Sequence, residues 1–117
     1  MKVEIRSFAE AGELTKERLI LKASSDLDIG DYAVFCSGIS DEGNPTSGRK
    51  RAFWFPDYAV KAGDLVVLYT KKGSQSKKAW KSNTAHFFYW GLEAPIWVPP
   101  KCAVVLLVDD FDFEIVS

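Results

Sequence analysis

The chain of 117 residues is predicted to be all-β, an antiparallel β-sandwich of about eight or nine strands. Three observations carry this. Apolar and polar residues alternate with a period of two over most of the sequence. Turn signals built on Gly, Pro, Asn and Asp separate the alternating runs. No stretch shows the spacing of a helix long enough to cross over a sheet.

Taken in order, Val3 and Ile5 alternate with Lys2, Glu4 and Arg6, as in a strand with one solvated face. Ser7–Leu14 opens with a capping pattern, Ser7 with Glu10, but Gly12 interrupts it, so a loop or a single turn is expected. Leu19, Leu21 and Ala23 alternate with Arg18 and Lys22. Tyr32–Cys36 and Arg51–Phe55 are short runs of strand formers, separated by the polar stretch Ser37–Lys50 with its Asn44-Pro45 turn signal.

Leu65–Tyr69 and Cys102–Val108 are apolar on both faces and are expected at the centre of the sandwich. On that expectation Val67→Asp unfolds the domain, since an unpaired buried carboxylate costs several kcal/mol. His86–Trp90 is a further apolar strand, and Asp109-Asp110 marks a hairpin into a last strand, Phe111–Val116. The whole chain, 1–117, forms one domain of the immunoglobulin-like sandwich kind.

Composition bounds the function. Hydrophobic residues make up 47% of the chain, enough for a core without a metal or disulfide framework. Fifteen basic and sixteen acidic side chains leave a net charge of −1, so there is no global field to steer a polyanion and electrostatic function must be local. Cys36 and Cys102 lie in apolar runs without CxxC spacing and are expected to be reduced and buried; an inter-sheet disulfide is the alternative. The charged, alternating N-terminus is unlike a signal peptide and no apolar run approaches a membrane span, so the expected location is the cytoplasm.

Several constellations can be weighed against structural roles. His86 is the one histidine and is expected to be structural. No cofactor, metal set or catalytic residue is expected, because no triad, ligand cluster or phosphate loop is present. Asp109, Asp110, Asp112 and Glu114 alternate with phenylalanines and fit a charged edge strand better than a calcium loop. Of the four tryptophans, Trp54 and Trp90 are expected in the core; Trp80 and Trp97 are either core or exposed binding anchors.

The sharpest feature is electrostatic. From Leu65 to Leu92 there is no acidic residue, while Lys71, Lys72, Lys77, Lys78 and Lys81 surround Trp80. Lysines beside an aromatic ring suit phosphate binding, with stacking as a second contribution. A solvated loop around Gly73–Ser76, whose lysines serve solubility, is the competing reading. Arg49, Lys50 and Arg51 join the patch if their loop shares its end of the sandwich.

From about Glu17 to Leu107 the chain resembles the lamin tail domain, in particular its bacterial branch. The resemblance runs through Glu17–Lys22, Ser24–Val34, Phe53-Trp54-Phe55-Pro56, Val60–Val67, Phe88–Leu92, Pro95-Ile96-Trp97 and Ala103–Leu106. It departs at Tyr32, where the family often has tryptophan, at Ala23, where asparagine is common, and at Val98–Lys101, where many bacterial members carry an asparagine-rich turn. The resemblance implies an immunoglobulin-like interaction module without catalytic residues, associated in lamins with chromatin, DNA and nuclear membrane proteins. In bacteria such modules accompany nucleases and phosphoesterases.

The expected function is therefore a non-catalytic, protein- or nucleic-acid-binding module. A protein is the first expected partner; DNA or another anionic polymer, held through Lys71, Lys72, Lys77, Lys78, Trp80 and Lys81, is the second. The alternatives are a structural module that self-associates through edge strands, an accessory domain of a nuclease or phosphoesterase and, last, a small enzyme.

Overall fold

The computed structural model describes all residues, Met1–Ser117, and is a β-sandwich. Its strands are β1 (Val3–Ala9), β2 (Arg18–Ala23), β3 (Leu27–Asp28), β4 (Tyr32–Ser37), β5 (Arg51–Trp54), β6 (Ala59–Val60), β7 (Leu65–Tyr69), β8 (Ser76–Trp80), β9 (Asn83–Tyr89) and β10 (Cys102–Leu107). One 3-10 turn, Ile29–Asp31, precedes β4, with the Asp28 carboxylate accepting from the Gly30 N–H. A five-stranded sheet, in the order β1-β2-β7-β9-β8, faces a three-stranded sheet, β10-β4-β5; β3 and β6 form a short ribbon between them.

One pair departs from the antiparallel expectation: β7 and β9 are parallel. After β7 the chain runs back as β8 one strand position away, and β9 then fills the gap, antiparallel to β8. Both β7 and β9 thereby acquire a hydrogen-bonded neighbour on each side.

Alternation along the strands sends Val3, Leu19, Leu21, Ala23, Val66, Leu68 and Phe88 of the larger sheet inward against Tyr32, Val34 and Cys36 of β4. Rings bridge the layers: Phe53 meets Phe55 edge-on, Phe55 meets Phe88, and Phe53 leads through Trp90 to Trp97, with centroids 5.1–6.2 Å apart. Tyr58 adds edge-on contacts with Phe88 and His86.

Two buried carboxylates lock the connections. Glu17 accepts hydrogen bonds from the backbone N–H groups of Gly12 (2.8 Å), Ile96 (3.0 Å) and Trp97 (3.2 Å) and from the Thr70 hydroxyl. It therefore pins the Pro95–Val98 segment against the start of β2 and the end of β7. Asp64 accepts from the Lys61 and Thr84 N–H groups, the Asn83 amide and the His86 ring. Gly63 beside it takes φ +91°, as a tight turn into a central strand requires.

Burial alone would raise the Asp64 carboxyl's pKa, but the hydrogen bonds from His86, Lys61, Thr84 and Asn83 outweigh it and hold the group at about 2, against an ordinary 3.8. A depressed pKa contributes stability that is present above about pH 4 and is lost as pH falls toward 2. The expected contribution is about 2 kcal/mol. Asp64→Asn should forfeit it at neutral pH and flatten the fall in stability between pH 4 and 2, measured by denaturant titration at each pH; an unchanged acid slope would refute the assignment.

Several expectations need correction. Cys102–Leu107 is not central: β10 is an edge strand, half-buried along its length, and β4 is the buried strand of its sheet. A continuous apolar run does not distinguish a central strand from an edge strand half-covered on both faces. No strand forms at Phe111–Val116; Phe113 is 76% exposed and Val116 97%. Trp54 is outside the core, 53% exposed, because Phe53 takes the inward position on β5; Phe111 packs edge-on against it at 5.2 Å. Ser7–Ala9 continues β1 past a bulge rather than forming a loop. The thiols are free, Cys36 buried but Cys102 only half-buried.

Candidate functional site

The residues that alternation turns away from the core give the larger sheet an aromatic outer face. Register aligns Arg18 with Tyr69 and Tyr69 with Tyr89, and in the next outward row Ile20 with Val67 and Val67 with Phe87. The Tyr69 and Tyr89 rings stack at 5.3 Å with planes 12° apart, and Phe87 lies 6.3 Å from Tyr69.

Cations sit over these rings. Arg18 lies 5.6 Å and Lys71 5.1 Å from the Tyr69 centroid, Lys78 lies 5.7 Å from Phe87, and Lys81 lies 4.8 Å from Trp80. The ring quadrupole draws an ammonium or guanidinium toward its face, so each long side chain is held near the sheet. Gly73 makes room for this arrangement, because a Cβ there would meet the Tyr89 ring at 2.4 Å.

The lysine-rich segment is thus partly a strand. Lys77 and Lys78 belong to β8, an exposed edge, and not to a loop around Gly73–Ser76. Strand alternation separates them: Lys78 and Trp80 share the outer face, whereas Lys77 points the opposite way. Lys72 makes an exposed ion pair with Glu93 at 3.4 Å, too solvated to contribute much. Of the six residues singled out from the sequence, Lys71, Lys78, Trp80 and Lys81 take part in the cation–ring contacts, joined by Arg18, Tyr69 and Phe87, with Tyr89 stacked on Tyr69. The signal for the added four was the period of two, which needs the β2-β7-β9 register before it becomes a surface.

Arg49, Lys50 and Arg51 do not extend this face. They line a separate cavity with Lys101, beside Cys36 and the Pro95–Val98 segment. Trp97, left open as an anchor, is buried, and Trp80 is half-buried.

His86 and Asp64 form a buried pair, Nε2 to carboxylate at 2.8 Å, with both side chains only 6% exposed. Half of a base-and-orienter arrangement is present in geometry, but the enclosure denies a substrate access to it. Its chemistry is that of a clasp between the β6–β7 turn and β9. No group of three or more His, Cys, Asp or Glu side chains is placed to hold a metal ion, and no helix is long and apolar enough to cross a membrane.

No protein-family model matches the chain, and a search of curated proteins returns no match.

Proposed function

We propose that the chain is a non-catalytic interaction module that binds an anionic polymer, nucleic acid foremost, on the outer face of its five-stranded sheet. The observation that carries this reading is the set of four cationic side chains, Arg18, Lys71, Lys78 and Lys81, held over aromatic rings in a segment of the fold where the chain from Leu65 to Leu92 has no acid. Cations held over rings lose less side-chain freedom on meeting phosphates than free lysines do. Rings beside them offer stacking to unpaired bases. The reading accords with the interaction role implied by the resemblance to the lamin tail domain.

The test is a titration of a labelled single-stranded oligonucleotide at two salt concentrations. Four phosphate contacts predict a slope of about −3 in log K against log salt, or a loss of roughly 50-fold between 50 and 200 mM. Lys71→Glu with Lys78→Glu should abolish binding. Lys77→Glu, which faces the other way, should weaken it by no more than about threefold, the effect of long-range charge alone. Absence of binding at low salt, or equal effects of the two variants, would remove this face from consideration.

A further inference from the structure

We propose that the cavity between the start of β5 and the Pro95–Lys101 segment binds a small organic anion, its charged head among the cations and an apolar or aromatic body against Phe8 and the Pro99-Pro100 pair. This site is independent of the sheet face. The cavity has a volume of about 500 Å³, and four cationic residues, Arg49, Lys50, Arg51 and Lys101, are among the nine that line it, with no acidic residue. That size falls within the ordinary range for small-molecule sites.

The cations are unanswered. The Lys72–Glu93 ion pair and the His86–Asp64 hydrogen bond lie elsewhere, and none of the four has a carboxylate within 4.0 Å. Lys50 is held in place, its ammonium donating to the Thr46 carbonyl at 2.6 Å and to the Ser37 hydroxyl at 3.2 Å. Four like charges lining one cavity without a counter-ion oppose one another in a chain whose net charge is −1. A bound anion relieves that opposition. Their field reaches the cavity wall: burial pushes the Cys36 thiol's pKa up, while Lys101 and Arg51 pull it down. A thiol held protonated there is a wall and not a nucleophile.

The apolar half is supplied next door. A second cavity of about 250 Å³ shares Val98 and Lys101 with the first and is walled by Phe8, Ile39, Trp97 and the Pro99-Pro100 pair. Phe8 and Trp97 form one side of it, with ring centroids 5.1 Å apart, and Phe8 remains exposed. The Trp97 indole N–H is buried and has no acceptor in the protein. Cations on one side of Lys101 and rings on the other define an amphipathic anion of the aryl phosphate or aryl carboxylate type.

The test is calorimetric titration of the whole chain with 1-naphthyl phosphate, beside inorganic phosphate and 1-naphthol as the head and the body alone. The phosphate ester should bind at least about tenfold more tightly than either fragment, with a dissociation constant below about 1 mM. Arg51→Ala with Lys101→Ala should weaken it at least about tenfold; both side chains are exposed, and an unchanged circular dichroism spectrum verifies the fold. Lys71→Glu with Lys78→Glu should leave it unchanged, which separates this site from the sheet face. The proposal is overturned by absence of saturable heat, by binding indifferent to Arg51 and Lys101, or by equal affinity for either fragment.

Discussion

Glu17→Ala is expected to cost about 4 kcal/mol, a large part of the stability of a domain this size. Its carboxylate is fully buried and has no cationic partner; its partners are three backbone N–H groups and a hydroxyl. Removing it leaves three buried donors, Thr70, Ile96 and Trp97, without an acceptor, at about 1–3 kcal/mol each, while the Gly12 N–H can turn to water. Relief from burying a charge and entry of water into the vacated space offset part of that sum. Glu17→Gln keeps the shape but turns an amide NH2 toward groups that are themselves donors, so it should recover only part of the loss. Urea denaturation midpoints measure both. A glutamine variant as stable as the parent would show that the four bonds contribute little. Because Ile96 and Trp97 are among the donors, the alanine variant should also loosen the segment that walls both cavities.

Val66→Asp is expected to leave no folded protein, whereas Val67→Asp should fold with a loss of about 1–2 kcal/mol. Val66 is completely buried and belongs to the core with Leu21 and Leu68, where a carboxylate has neither partner nor water. Its burial costs several kcal/mol, on the order of the whole stability. Val67 is also buried, but alternation puts it on the outer face, between Ile20 and Phe87 in register. There an aspartate can lean toward solvent and toward Arg18 or Lys22 on the adjacent strand. The loss expected at Val67 is thus smaller than at Val66 because of its place on the outer face, although both side chains are buried. Circular dichroism and denaturant melts of the two variants decide it, and equal loss would mean that the outer face is as closed as the core.

The candidate face was half legible. An acid-free run with five lysines and a tryptophan is visible in the linear order of residues. Which lysines act together is not, because Lys77 and Lys78 are neighbours in sequence and opposites on a strand. Arg18 is about fifty residues from Tyr69 and joins the face only through the pairing of β2 with β7. The unanswered cations beside Cys36 were equally hidden: Arg49, Lys50 and Arg51 form a run, but Lys101 comes near them only because β10 and β5 flank β4, with Cys102 opposite Ser37 and Arg51 opposite Cys36.

Local chemistry alone determined that this is a β-sandwich. The period of two at Val3–Ile5 and Leu19–Ala23, the Gly63 turn and the doubly apolar Leu65–Tyr69 run each specify backbone conformation from residues a few positions apart. Only the tertiary structure decided which strands are interior. Cys102–Leu107 and Leu65–Tyr69 are equally apolar, yet β7 has a neighbour on each side and β10 has one. That difference depends on the insertion of β9 between β7 and β8 and on the failure of Phe111–Val116 to pair. Pairing is a relation between segments far apart in the chain, and hydrophobic burial rewards area without regard to which neighbour covers it.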